Sequence, residues 1–278
     1  MPITLPPGTA AQRDDRNPTP NNRQLLTLLG LLVGLVGVVI GLVGVVINQL
    51  VWWIPPSVEQ QLGAIAVPPF ERLAEPSRRQ TELNRLLDRL EAELSVELRQ
   101  GRDYQVLYVP EPTVNALAIP GDRVIIYQGL LEQMGSENEL MMVLGHELGH
   151  FAHRDHLRSL GRGVMLRVAI ASVLGDLGSL SQIAVSGIER LSQARFSQGQ
   201  ERQADEFGLE LLYQTYGHVA GATDFFARMR EARGRSITDF MASHPAPPER
   251  VKRLEQLIER RNYSVEALAP LPSVLQGE

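Results

Sequence analysis

Residues 144–156 read "LGHELGHFAHRDH" and hold four of the chain's six histidines. On a helix, His146 and His150 stand one turn apart on the same face, so both imidazoles reach a single ion. Glu147 sits beside that face, within reach of a water on the ion without being a ligand. This H-E-x-x-H spacing suits a zinc ion that keeps one position open for water, with the glutamate as general base. Such chemistry needs the stretch to be helical. Ser136 followed by Glu139 fits a capping box that opens a helix there.

Outward from the motif, "YQVLYV" (104–109) and "RVIIY" (123–127) read as strands, with "IPGD" (119–122) as a turn between extended segments. Further upstream, Leu83, Leu86, Leu87, Leu90 and Leu94 recur at helical spacing between Arg78 and Gln100. After the motif, helices are expected from Arg195 to Tyr213 and from Pro248 to Arg261. Strands before and helices after predict an α+β domain, mainly helical with a small sheet, over residues 77–262, then a tail over 263–278. Val164 to Ile188 is apolar but broken by Arg167 and Asp176, and reads as a buried or membrane-facing hairpin rather than a second span.

The chain has 278 residues and a net charge of −5, which gives no footprint for a nucleic-acid partner. It has no cysteine, so disulfides and thiolate metal sites are excluded and any zinc must be held by His, Asp or Glu. Residues 1–23 are rich in Pro, Asn and charge and are expected to be a disordered cytoplasmic tail. Residues 24–54 carry no charge, are long enough to cross a bilayer, and end in the interfacial pair Trp52 and Trp53. No small-residue cleavage site follows, so a retained anchor is expected. Arg13, Arg16 and Arg23 precede the span while Arg72 is the basic residue soon after it. This bias predicts a single-pass protein of the cell (inner) membrane, N-terminus cytoplasmic and catalytic domain on the periplasmic side. Gly30, Gly34, Gly37, Gly41 and Gly44 trace one helix face in heptad spacing, a surface for a second helix and hence for a homo-oligomer. A proline-punctuated linker is expected over 55–76.

Two histidines leave a hydrolytic zinc short of a third protein ligand. His153 and His156 are rotated off the face of His146 and His150, so they are expected to face solvent or cap the helix end. His218, after Gly217, reads as a structural turn residue. In "QERQADEFGLELL" (200–212), Glu201 and Asp205 stand four apart. They form either a solvated acidic stripe or a division of labour, Glu201 as third ligand and Asp205 as acceptor for a ligand histidine's remaining N–H.

The ordered series "GHELGHFAHRD", "ERQADEFGLELL" and "SHPAPPERVKRL", with "NALAIPGDRVIIYQGLL" upstream, resembles the M48 peptidases over roughly Asn115 to Leu257. These are membrane-linked zinc metallopeptidases of the Ste24, HtpX and Oma1 type. The resemblance implies a zincin-type domain with one Zn2+ per chain, His146, His150 and Glu201 as ligands, and Glu147 as general base. It implies hydrolysis of peptide bonds in membrane-associated or misfolded proteins. Two departures, Gln198 where many members have arginine and "PGD" for "PGG", bear on local substrate contacts. His244 has three readings: it stabilises the oxyanion, it occupies the open zinc position as a gate, or it packs a loop. Arg250 is expected to pair with an acidic residue near the site, and Arg123–Tyr127 to align an extended substrate by edge pairing. The competing functions are a catalytically silent membrane scaffold or holdase, and a zinc hydrolase with a non-protein substrate.

Overall fold

The computed structural model describes residues 20–74, 76–161, 196–231, 240, 243–244 and 249–276. The expected tail lies outside the described residues up to position 19, as does the apolar stretch 164–188. The chain divides into two compact units, residues 1–46 and 47–278.

Helix α1 (Asn22–Leu50), continued by a 3-10 turn at Val51–Trp53, is long and apolar enough to cross a membrane. At 1.5 Å per residue it runs about 44 Å, against about 30 Å of hydrocarbon. Its leucines and valines are exposed along most of its length, as suits a helix whose solvent is lipid.

In the second unit, β1 (Gln105–Val109), β2 (Ala116–Ile119) and β3 (Arg123–Tyr127) form a sheet in the order β1-β3-β2. β3 pairs parallel with β1 and antiparallel with β2. Because β3 is central and both its edges are paired, it cannot add a substrate strand, which corrects the expectation for Arg123–Tyr127. The outer edge of β1 is also taken. Helix α4 (Arg78–Ala92) presents Asn84 Oδ1 to the Val106 N–H at 2.8 Å and Gln80 Oε1 to the Tyr108 N–H at 2.6 Å. Its two amide side chains stand in for a fourth strand.

Every residue of β2 is buried, and β1 and β3 are buried after their first residues, so both faces of the sheet need cover. One face (Val106, Tyr108, Ala116, Ala118, Val124, Ile126) packs on the leucine stripe of α4 and on the motif helix. The other (Leu107, Val109, Leu117, Ile119, Ile125, Tyr127) packs on Ala66, Val67 and Phe70. Those three residues lie in the segment expected as a linker. Most of it instead forms α2 (Pro56–Ala66) and α3 (Pro68–Glu71), because six apolar side chains would otherwise face water. Three of the prolines read as linker punctuation, Pro56, Pro68 and Pro69, sit in the first turns of these helices, where no N–H is missed.

At the β2–β3 turn, Gly121 has φ 91° and Asp122 φ 59°. A Cβ on Gly63 of α2 would stand 2.4 Å from Gly121 Cα, so helix and turn meet backbone to backbone. Asp122 tolerates the left-handed conformation, and its carboxylate accepts from Arg102 at 2.6 Å. The "PGD" departure thus gains an ion pair that glycine cannot make. A short helix α5 (Val96–Arg99) follows α4, and α6 (Gln128–Leu131) follows β3. The C-terminal residues are no free tail either: Leu271 and Leu275 are buried in the main core and Val274 O accepts from Arg79 Nε at 3.3 Å.

Candidate metal centre

The motif helix α7 (Glu137–Ala152) starts at Ser136, whose Oγ accepts the Glu139 N–H at 3.2 Å. The other half of the expected capping box is shifted by one residue: Glu139 Oε2 accepts the Gly135 N–H at 3.1 Å. From Glu137 to Phe151 the helix is buried, and His146, Glu147 and His150 are fully out of water. Buried imidazoles and carboxylates must be hydrogen-bonded or bind an ion.

Small residues decide how near the next helix comes. α8 (Gln198–Tyr216) opens at Ser197 with a complete capping box to Gln200, three residues later than the expected start at Arg195. It crosses α7 with Gly208 against Gly145 and Ala204 against Gly149. A Cβ on Gly208 would stand 2.8 Å from His146 N, and one on Gly149 would stand 2.8 Å from Ala204 Cα. This backbone contact brings Asp205 and Glu201, one and two turns before Gly208, up to the imidazoles.

His146 Nε2 and His150 Nε2 are 3.2 Å apart. His244 Nδ1 is 3.2 Å from His146 Nε2 and 3.2 Å from Glu201 Oε1. Glu201 Oε1 is 3.5 Å from His150 Nε2, and Glu201 Oε2 is 3.7 Å from His146 Nε2. A tetrahedron with metal bonds of 2.0–2.1 Å has edges of about 3.4 Å, so four buried donors converge at the spacing a zinc-sized ion requires. The far nitrogen of each imidazole is also engaged. His146 Nδ1 meets Asp205 Oδ1 at 3.0 Å, His150 Nδ1 meets Asp155 Oδ2 at 3.0 Å, and His244 Nε2 meets Ala116 O at 3.3 Å. With a proton held on that side, the lone pair of the other nitrogen points into the cluster.

The charges ask for a cation. Burial would raise the Glu201 pKa, but His244 and the Arg250 guanidinium hold it well below the ordinary carboxylate range. Asp205 is lowered in the same way, against burial, by Arg250 and His146. Burial would lower the His150 pKa, yet Asp155 and Glu201 push it up to about 10. Arg250, itself buried, donates to Asp205 and to Glu201 Oε2 at 3.0 Å and lies 3.9 Å over the Phe226 ring. The acidic partner expected for Arg250 is thus two acids at once, Asp205 and Glu201. Both oxygens of Glu147 are buried without a hydrogen-bond partner among the described residues. A bare carboxylate beside a cation-seeking cluster is placed to accept a proton from a water molecule.

Of the sequence-predicted site residues, His146, Glu147, His150, Glu201, Asp205 and His244 all come together here. His153 caps the end of α7 through Nδ1 to Gly149 O at 2.8 Å, and His218 Nδ1 accepts the Ala220 N–H at 3.2 Å. His156 does not face solvent. It is buried, with Nε2 2.6 Å from Glu59 Oε1, because the former linker folds over it. Two residues were missed. Asp155 orients His150, and Gln200 Nε2 donates to Asp155 Oδ1 at 2.7 Å, tying the end of the motif helix to the start of α8. The signal for Asp155 was an acid just past the end of a helix carrying two histidines, where the chain can fold back.

A sequence model of peptidase family M48 matches residues 77–258. The metalloprotease LoiP of Escherichia coli (strain K12) is 39% identical over 150 residues, which are 51% of this chain and 57% of LoiP. The metalloprotease YcaL of the same organism is 32% identical over 149 residues, 52% of this chain and 58% of YcaL. The mitochondrial metalloendopeptidase OMA1 of Arabidopsis thaliana is 29% identical over 183 residues, 64% of this chain and 36% of OMA1. The chain thus spans less than two thirds of the length of each of these relatives.

Proposed function

Because the chain belongs to peptidase family M48, we propose that it is a membrane-anchored zinc endopeptidase with His146, His150 and Glu201 as metal ligands. The observation that carries this reading is the near-tetrahedral convergence of buried donors, each imidazole oriented by an acceptor on its far nitrogen. A bound zinc would lower the pKa of its water to about 7 and polarise the scissile carbonyl. Glu147 takes the proton from the attacking water and returns it to the leaving amine. Asp205 keeps the His146 imidazole in its ligating tautomer, and Arg250 balances the charge of Asp205 and Glu201.

His244 is a fourth ligand at rest in this proposal. Its Nδ1 lies among the donors, its Nε2 bonds the outer edge of β2 through Ala116 O, and Ser243 Oγ meets Asn115 Oδ1 at 3.1 Å. Ser243 and His244 therefore cover both the metal position and the outer edge of β2, which supports the gate reading of His244. When the segment moves away, β2, rather than β3, offers the edge for an extended peptide.

The substrates proposed are membrane-associated or misfolded proteins, which fits an anchor joined to a domain with backbone-based recognition. The arginine bias around α1 supports a cytoplasmic N-terminus and a catalytic domain on the outer side of the cell membrane. The glycine face of α1 supports self-association within the bilayer. The test uses the full chain in detergent, in the parent and in a His244→Ala background. Zinc should be present at one per chain, casein should be degraded, and a chelator should stop degradation. Glu147→Gln should keep the metal and lose roughly 10²- to 10⁴-fold in rate. Degradation that survives chelation, or parent activity in Glu147→Gln, would refute the proposal.

A further inference from the structure

Residues 154–158, directly after the motif helix, face two ways. Asp155 turns inward to His150 Nδ1 and Gln200. Its neighbours turn to the stretch that follows the apolar helix. Arg154 Nη1 donates to Val51 O at 2.7 Å and also to Ile54 O. His156 joins the buried Glu59 through Nε2, and its Nδ1 is 3.3 Å from the carbonyl oxygen of His150 itself. Arg158 pairs with Asp155 Oδ1 at 3.0 Å while its guanidinium lies 5.3 Å over the Trp52 ring. Glu59 is fixed in turn by Arg102, whose two nitrogens reach its oxygens at 3.0 and 2.8 Å.

We infer that residues 51–59 are a positioning element for the metal centre, holding His150 through Arg154, Asp155, His156 and Arg158, with Arg154 and Glu59 as positioning residues. Besides the Phe196 ring stacked on it, His150 is supported by the Asp155 carboxylate on its ring and by His156 on its carbonyl. His156 reaches the membrane-proximal segment directly through Glu59, and Asp155 reaches it through Arg158, which lies over Trp52. Arg154 has φ 56°, a left-handed backbone that a non-glycine residue adopts when its surroundings hold it there. Its guanidinium gathers the carbonyl of Val51, which also accepts the Ile54 N–H across the 3-10 turn, and the carbonyl of Ile54 just after it. A change in how the anchor end sits is thereby passed to a ligand, rather than absorbed in a flexible tether.

The inference rests on the proposed ligand set, so the experiment includes a ligand control. The zinc-loaded full chain in detergent is challenged with a chelator, and zinc release is timed in the parent, His150→Ala, Glu59→Gln, Arg154→Asn and Arg154→Lys. Asparagine is used because it tolerates the left-handed backbone while removing the reach to Val51 and Ile54. Metal-free stability of each variant is measured in urea. Arg154→Asn and Glu59→Gln should release zinc roughly tenfold faster, the low end for outer partners of a ligand, and Arg154→Lys should return to within a few-fold of the parent. If Glu59→Gln fails to fold, Arg154→Asn decides, since it leaves the Glu59–Arg102 pair whole. Parent-like release from folded Arg154→Asn overturns the inference. Zinc held equally well by His150→Ala overturns the ligand assignment instead.

Discussion

Gly208→Ala puts one methyl group where α8 touches α7. The added carbon would stand 2.8 Å from His146 N, 3.1 Å from Gly145 C and 3.2 Å from His146 Cα. All three are backbone atoms of the motif helix, so no side chain can swing away. The approach to His146 N falls short of an ordinary 3.4 Å contact by about 0.6 Å. The two helices must part by about that distance, and Glu201 and Asp205 ride on one of them while both ligand histidines ride on the other. Metal distances tolerate only about 0.2 Å, so zinc affinity should fall by tenfold or more. Overpacking costs about 1–3 kcal/mol, partly offset by about 1 kcal/mol from replacing glycine in a helix. The net loss should therefore be at most about 2 kcal/mol, no more than a few degrees in Tm for a chain of this size. Gly199→Ala is the internal control. It lies in the first turn of the same helix, where among the described residues the added carbon meets only Ser197 Oγ, at 3.8 Å. Zinc content after a chelator challenge and urea unfolding of the metal-free chain read the two effects separately. If Gly208→Ala matched Gly199→Ala in both, the claim that backbone contact sets the ligand geometry would be wrong.

His244→Ala should raise basal casein degradation or self-cleavage, because the gate is removed; a fall in kcat would return His244 to the oxyanion role. Gly37→Ile with Gly41→Ile should abolish crosslinked oligomers in the bilayer while insertion is kept, because a Cβ at either position meets nothing from outside its own helix within 4 Å among the described residues; an unchanged oligomer signal eliminates the glycine-face proposal. The Glu59 carboxyl is raised by burial but lowered more by His156 and Arg102, to about 2 from 4.5. A depressed carboxylate stabilises the fold fully above pH 4.5 and loses that contribution as pH falls through 2, a span worth about 3 kcal/mol. The stability gap between the parent and Glu59→Gln should accordingly narrow from pH 6 to pH 3, and a constant gap would show that Glu59 carries no such ion pair.

What the linear sequence determined about this protein is whatever depends on neighbours one turn or one pleat away. His146 and His150 share a face because residues four apart always do on a helix. The leucine stripe of α4, the length of the apolar helix and the Gly-Asp turn follow from the same local geometry. Glu201 and Asp205 were legible as a pair from their own spacing, and their order in the motif series pointed to the ion. The tertiary structure decided what lay on the other side of each contact. Residues 55–76 look like a linker because five prolines hide two short helices, and only the uncovered sheet face explains why they fold. β3 reads as a substrate edge until β1 is found parallel beside it, a pairing between strands whose sequence says nothing of order. His156 reads from its angle on the motif helix as solvent-facing or as a cap of the helix end; its Nδ1 does meet the His150 carbonyl oxygen, yet it is buried, because a carboxylate 97 positions earlier in the chain closes over it. Helical and strand periods report which side of an element is apolar. They carry no information on which distant element will cover it, and the outer supports of the metal ligands are built from those distant elements.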